Sequence, residues 1–445
     1  MRCILLSLST IAFCTPASII ASDSTTPIAS IADLEARAHK ENNYPNISPS
    51  FHPEVIRLVE SNTLTTGDDF FRAALLAGEC IENYRSARTC YELTLAAAAK
   101  GNIEAKKSVA DHWDRLLVTL GRPMRLDVFG YVSNFPDQEK FSLDPAPKVI
   151  QELLRHPTEA LDAASKATNN PEVQKIVDAD QTVRANWDKL SEADMKAVSA
   201  NDHQRNLRIR EIVDTGGLHT ARDFANASLV MQHSSVFAGY ELAHELAVCS
   251  MLLGAQDTDL WLVAATYDRM LNSIGHDQRF GTQHAIAFLG QVSSELSPTD
   301  ETGISDLERI ALGCPSLAEK RGNLLVSAAW SLIAKVEYAK AETIARKAVF
   351  EQEKAYPKGD WRVFRSLRAL GVSLAGEKKF SEAEPFFLNA YAVLKKNEPT
   401  LSPELKGKIR DIADDLVKLY EASNQTLKTI EWKQRIQDFN DTSSH

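Results

Sequence analysis

The chain has 445 residues, of which 44% are hydrophobic and 25% are charged. This composition is typical of a globular protein and excludes a largely disordered, collagen-like or multi-span membrane protein. The formal net charge of −10 argues against a nucleic-acid-binding protein, because phosphate binding requires a basic surface. A chain of this length predicts about two to three domains.

The first 22 residues have the pattern of a secretory signal peptide. Arg2 supplies a positive charge, a mostly apolar run follows from Ile4 to Phe13, and small residues lie between Ala17 and Ser22. This pattern predicts cleavage near residue 22 and a periplasmic or secreted mature protein. A lipid anchor on Cys14 is the alternative, although Phe13 stands where a small residue is expected. No later stretch is apolar enough to span a membrane, so we expect no membrane insertion after cleavage.

Export from the cytoplasm would determine which cysteines remain in the mature chain and whether they can form disulfides. Cleavage leaves Cys80, Cys90, Cys249 and Cys314, and an oxidising compartment permits disulfides. Cys80 and Cys90 flank a predicted turn between helices, so a bridge between them is one possibility. Cys249 lies in an apolar stretch and is expected to be a small buried side chain.

Residues 23–50 are rich in Ser, Thr, Asn and Pro, which predicts a flexible N-terminal arm with a short helical patch. Residues 130–148 contain three prolines, and residues 296–303 read LSPTDETG, which indicates a domain boundary. Almost all of the remaining chain repeats apolar residues at three- and four-residue steps, and tight β-hairpin signals are absent. The predicted fold class is all-α.

Two segments before this boundary resemble each other at a constant shift of 154 residues. The shift superposes the following residues: Asp69-Phe70 on Asp223-Phe224, Asp114-Arg115 on Asp268-Arg269, Gly121 on Gly275, and Arg125 on Arg279. The helix between these blocks is displaced by one residue. We therefore predict two related helical modules, residues 51–165 and 166–296, that could descend from a duplication.

The C-terminal part, residues 304–445, contains a second repeat. The pattern Tyr338-x-x-Ala341-x-x-x-Ala345-x-x-Ala348 matches Phe380-x-x-Ala383-x-x-x-Phe387-x-x-Ala390 after 42 residues. Small residues at these positions let two antiparallel helices approach closely, and such hairpins must stack to bury their apolar faces.

This pattern resembles the tetratricopeptide repeat over roughly residues 322–435. The third unit, Ile412 to Ile436, departs from it, because Ile430 stands near the expected small residue, and we interpret this unit as a terminal cap. The resemblance implies an α-solenoid of helical hairpins with a concave surface that binds a protein or peptide.

The second module carries the densest polar motifs of the chain. They are Asp180-Gln181-x-x-Arg184, Gln232-His233, Asp268-Arg269, and Gln278 followed by Gly281-Thr282-Gln283. Their order over residues 178–283 resembles a family of uncharacterised bacterial domains that open with DQxxR, continue with QH and DR pairs and end in GTQ. The resemblance implies no established activity. The first module keeps Asp114-Arg115 but lacks the QH and GTQ motifs.

Two interpretations of these motifs stay open. In the first, His233 and Asp268 meet as candidate catalytic residues for base catalysis or bind a metal ion. The candidate ligand-binding residues are Gln181, Arg184, Gln232, His233, Asp268, Arg269, Gln278, Thr282 and Gln283. In the second, Asp268 and Arg269 join loop amides in a buried hydrogen-bond network. The persistence of Asp114-Arg115 without the other motifs favours this structural role.

The sequence therefore favours an exported helical-repeat scaffold that binds a protein or peptide and that is not an enzyme. The alternative is a hydrolase, or a small-ligand or metal-binding protein, that uses residues 178–283. No phosphate-binding loop, dinucleotide-binding glycine pattern, serine-hydrolase motif or zinc-protease helix is present, so no cofactor is expected.

Overall fold

The computed structural model describes residues 30–40, 51–78, 83–128, 130, 142–186, 190–255, 258–284 and 294–442. In these residues the regular elements are helices, and β structure is limited to isolated bridges, which confirms the predicted all-α fold. No helix of the described ranges combines the length and the apolar character needed to cross a membrane. The predicted signal peptide and Cys80 of the predicted disulfide lie outside these ranges.

The part of the chain before the C-terminal repeats is built from short and medium-length helices. In the described residues they are α1 (Ile31–Lys40), α2 (His52–Glu60), α3 (Gly67–Ala77), α4 (Tyr84–Ala99), α5 (Ile103–Thr119), α6 (Lys148–Arg155), α7 (Pro157–Ala164), α8 (Pro171–Arg184), α9 (Glu192–Asp214), α10 (Ala221–Met231), α11 (Phe237–Leu252), α12 (Thr258–Ser273) and α13 (Asp306–Ala311).

Helix α1 lies within the predicted flexible arm. Leu34 is buried, and Glu35 accepts a hydrogen bond of 2.7 Å from Nε of Arg72 on α3. This part of the arm is therefore a helix packed on the body of the protein.

The two predicted modules begin their central helices in the same way. Thr66 caps α3 and Thr220 caps α10, and in each case the aspartate three residues later completes a capping box. A reciprocal side-chain and backbone bond of this kind satisfies two amide groups that a helix start would leave unpaired. The threonines and aspartates are related by the 154-residue shift, so the local structure repeats where the sequence does.

A single apolar core runs through α1 to α13, and a second core lies within the repeats that follow. The alanine-rich helix α4 and the apolar helix α11 are buried over most of their circumference in the first core. A helix that is apolar on all sides must lie at the centre of a domain. The first core extends through Leu312 and Cys314, beyond the boundary predicted at residues 296–303.

The C-terminal part forms three consecutive helical hairpins. Their helices are α14 (Leu317–Ala334), α15 (Tyr338–Ala355), α16 (Phe364–Gly376), α17 (Phe380–Asn397), α18 (Pro403–Ala422) and α19 (Thr426–Thr442). Each turn contains one residue in the left-handed region: Val336, Lys378 and Asn424 have φ angles of 62°, 63° and 58°. The identical turn geometry shows that all three hairpins are built alike.

The alanines of the pattern are fully buried, as close helix packing requires: Ala341, Ala345, Ala348, Ala383 and Ala390. Two glycines on α16 also allow close packing. A Cβ atom on Gly376 would lie 2.4 Å from the ring of Tyr338, and one on Gly371 would lie 2.9 Å from the ring of Phe387. The third hairpin corrects the predicted register. Counting from its turn at Asn424 places buried Thr429 where the earlier units have alanine, whereas Ile430 is 61% exposed.

Candidate functional site

Six of the nine predicted site residues fall into two separate hydrogen-bond networks. Asp268, Gln278, Thr282 and Gln283 belong to the first, which surrounds the loop after α12. Gln181 and Arg184 belong to the second, beside His233. The expected pair of His233 and Asp268 does not form among the described residues, so these networks do not make one shared site.

The carboxylate of Asp268 is fully buried and holds the loop after α12. It accepts backbone hydrogen bonds from Arg279 at 2.7 Å, from Phe280 at 3.0 Å and from Thr282 at 3.0 Å. The Thr282 hydroxyl donates a fourth bond at 2.7 Å. Because its oxygens are occupied in this way, Asp268 is a structural group that fixes the loop.

The amides of Gln278 and Gln283 are occupied by the same loop. Gln278 donates to the carbonyls of Gln283 and Ser297 and accepts from the Gln283 amide N–H. Gln283 donates to the carbonyl of Ala265 and to the Thr282 hydroxyl. These are the loop contacts of the second interpretation, although Arg269 makes no hydrogen bond with them in the described part of the chain.

Asp114 holds the corresponding loop of the first module in the way that Asp268 holds the loop after α12. Its carboxylate accepts backbone hydrogen bonds from Arg125 at 2.6 Å, Leu126 at 3.1 Å and Asp127 at 2.6 Å. The donors Arg125 and Leu126 correspond to Arg279 and Phe280 at the 154-residue shift. The conserved geometry explains why this aspartate occurs in both modules.

The arginine of each loop crosses into the opposite module. Arg279 donates to both carboxylate oxygens of Glu92 on α4 at 2.9 Å, and both side chains are fully buried. Arg125 donates to Glu245 on α11 at 2.9 Å. The two modules therefore exchange equivalent ion pairs, which the sequence repeat alone did not reveal.

An aromatic and histidine cluster lies between these ion pairs. The Tyr91 hydroxyl is 2.8 Å from Nε2 of His244, and Nδ1 of His244 is 3.1 Å from the carbonyl oxygen of Val263. Because a carbonyl can only accept, Nδ1 carries the proton and Nε2 accepts from the tyrosine. Burial lowers the pKa of His244 to about 3 and that of His112 also to about 3. Both imidazoles are neutral structural groups.

The second network is centred on the buried carboxylate of Asp180 at the end of α8. Arg184 donates to it at 2.6 Å, and Gln181 donates to it at 2.8 Å. The same Arg184 also donates to both oxygens of Asp202 on α9 at 3.1 Å. Arg205 donates to Asp202 at 2.6 Å. Burial raises the pKa of Asp180, and the charge of Arg184 opposes that rise.

His233 is the residue of the QH motif that lies beside this network. Its Nε2 is 3.6 Å from a carboxylate oxygen of Asp180 and has no hydrogen-bond partner in the described structure. Burial, followed by the charges of Arg184, Arg269 and Arg205, lowers the pKa of His233 to about 2. A base this weak accepts a proton poorly at neutral pH, which argues against base catalysis by His233.

A polar cavity of about 280 Å³ opens next to His233, between α9 and the connection from α10 to α11. Its lining includes Asp202, Asn206, Arg210 and Ser235. The α9 residues were not among the predicted site residues. The sequence feature that could have identified them is the spacing of Asp202, Arg205 and Asn206, which places their polar groups on one face of a helix. Gln232 is buried, and its Oε1 has no hydrogen-bond partner in the described residues.

A larger cavity of about 570 Å³ lies between residues 294–299 and the first C-terminal hairpin. Its lining includes Leu325, Ile344 and Phe350, together with Lys347. Phe350 is 59% exposed, and Lys347 forms no ion pair with any described residue. The lining also includes Arg321, which pairs with Glu301, and Glu351, which pairs with Lys354. The cavity therefore combines apolar surface with charges of both signs, of which Lys347 is the cation outside these ion pairs.

Within the described ranges, no three or more His, Cys, Asp or Glu side chains are grouped so that they could hold a metal ion. No protein-family model and no curated protein sequence matches the chain. Functional inference for this protein therefore rests on its own residues.

Proposed function

We propose that this protein is an exported scaffold that binds a protein or peptide through its C-terminal hairpins. The observation that carries the proposal is the apolar cavity beside Phe350 and Lys347. Large apolar side chains that remain exposed around a concave surface are characteristic of binding sites. The predicted signal peptide supports export, and the resemblance to tetratricopeptide repeats supports recognition of a polypeptide.

The lining of the cavity defines the partner that fits it. A peptide with one large apolar side chain would fill the space between Leu325, Ile344 and Phe350. A carboxylate nearby on the peptide would pair with Lys347, whose charge has no described partner. We therefore propose an extended partner segment with an apolar residue close to an acidic one.

Site-specific photo-crosslinking tests this proposal. A photoreactive amino acid placed at position 294, which also lines the cavity, in the mature full-length chain is expected to capture a discrete partner from a periplasmic extract of the source organism. Phe350→Ser should remove most of the crosslinked product, because it deletes one wall of the cavity.

Ile430→Ser is the matched control, since Ile430 is exposed to a similar extent on the third hairpin. It should leave the product unchanged. The absence of any discrete product, or a product that Phe350→Ser does not reduce, would contradict the proposal.

A further inference from the structure

A third cavity, of about 570 Å³, lies between helices α6 and α7 on one side and the start of α10 on the other. Its floor consists of buried apolar side chains, which include Leu153, Leu218, Phe224 and Leu253. Cavities of this volume with a mainly apolar lining are typical of sites that bind small molecules. We refer to it as the α7 cavity. None of its lining residues belongs to the C-terminal hairpins.

Helix α7 forms one wall of this cavity. The wall consists of small side chains at three- and four-residue steps: Ala160, Ala163, Ala164 and, just after the helix, Ala167. An apolar face with this spacing normally packs on a neighbouring element. Ala160 and Ala164 reach the edge of the first core, but Pro157 is the one buried residue of α7. Because alanine side chains are short, the space between this face and Phe224 stays open.

The charged side chains of the lining are two carboxylates. Glu152 on α6 and Glu159 on α7 are exposed at the cavity, and neither forms an ion pair with any residue that the structure describes. The lining also includes the imidazoles of His156 and His219, and it contains neither lysine nor arginine. Carboxylates beside an apolar cavity attract a cation more strongly than they would in open water.

The position of Glu152 is not explained by helix stability. It lies in the last turn of α6, where the partial negative charge of the helix end disfavours a carboxylate. Glu159 differs in this respect, because it lies in the first turn of α7 and also offsets the partial positive charge there. The two carboxylates together give the cavity a negative charge next to its apolar floor.

We propose that the α7 cavity binds a small cationic amphiphile, a molecule with a protonated amine and an apolar body. The apolar body lies between the alanines of α7 and Phe224, and the amine pairs with Glu152 and Glu159. This site is separate from the proposed peptide-binding surface on the C-terminal hairpins. Either proposal can therefore fail without the other.

Calorimetric titration and thermal unfolding of the mature full-length chain test this proposal with three probes that share one apolar chain. At neutral pH octylamine is positively charged, octanol is neutral and octanoate is negatively charged. Below their micelle-forming concentrations, we expect octylamine to bind most tightly and to raise the melting temperature, octanol to bind more weakly and octanoate to bind least. Failure of octylamine to bind, or equally tight binding of octanol or octanoate, overturns the proposal.

Three variants locate the binding. Glu152→Gln and Glu159→Gln each keep the size of the side chain and remove one charge. Each should weaken octylamine binding about threefold or more and leave octanol binding unchanged. Ala163→Trp fills the cavity from an exposed position and should abolish binding of both probes.

Asp162→Asn is the matched control, because it removes one negative charge from α7 at an exposed residue that does not line the cavity. Its affinity for octylamine should equal that of the unmodified protein. The melting temperature of each variant without ligand shows that it is folded. Equal affinities of the control and the two glutamine variants, or undiminished binding by Ala163→Trp, overturn the proposal.

Discussion

Replacing Arg279 by methionine is expected to lower the free energy of unfolding by about 3 kcal/mol. Arg279 is fully buried, and its guanidinium donates to both oxygens of Glu92 and to the carbonyls of Asp300 and Thr302. Methionine occupies a similar length but donates no hydrogen bond. The substitution therefore leaves the buried carboxylate of Glu92 with the Tyr267 hydroxyl, at 3.3 Å, as its hydrogen-bond donor. The buried Arg88, whose Nε lies 3.9 Å from Oε1 of Glu92, remains as its charge partner.

The magnitude follows from the burial of both partners. Removing one member of a buried ion pair costs about 3–5 kcal/mol when the remaining charge is left unpaired in a medium of low polarity. Arg88 remains near Glu92 without a hydrogen bond to it, so the expected loss lies at the lower end of this range. Replacing both charges with apolar groups avoids that cost. The double variant Glu92→Leu, Arg279→Met should therefore be more stable than the single variant by about 2 kcal/mol or more.

Guanidinium chloride unfolding, followed by far-UV circular dichroism at neutral pH, measures these differences. Arg208→Met is the control, because Arg208 and Glu172 form an ion pair with both side chains about half exposed. This control should lose less than about 1 kcal/mol. A loss below about 1 kcal/mol for Arg279→Met, or a double variant as unstable as the sum of the two single ones, would refute the reasoning.

Two further predictions concern pH and helix packing. Burial keeps His112, His233 and His244 neutral in the folded chain. Below about pH 6.5 the unfolded chain therefore binds protons at these histidines that the folded chain does not. Stability is thus complete above that pH and falls by up to about 1.4 kcal/mol per pH unit for each histidine as the pH decreases. Urea unfolding between about pH 7 and 5 should show a smaller decrease for His244→Gln, and an unchanged slope would count against this explanation. Gly376→Ala should lower stability by about 1–3 kcal/mol through its clash with the Tyr338 ring. Gly407→Ala, which meets open space within a helix, should instead raise the melting temperature, and equal effects of the two substitutions would contradict the packing argument.

The sequence alone predicted the helical architecture because its signals are local. Apolar spacing determines which face of a helix is buried, and the capping boxes at Thr220 and Ser305 begin helices through residues only three positions apart. The two hairpin patterns also predicted where helices pack closely. The third hairpin was misaligned by one residue, because Thr429 is less recognisable than alanine as the small residue of the pattern.

The candidate site depended on contacts between distant residues, and here the sequence was a weaker guide. It selected His233 and Asp268 but could not show that the loop amides occupy Asp268 or that Asp180 lies beside His233. The pairing of Arg279 with Glu92 also joins segments that are 187 residues apart in the sequence. Local pattern determined the helices of this protein, whereas their tertiary packing decided which charged groups are paired and which remain available to a ligand.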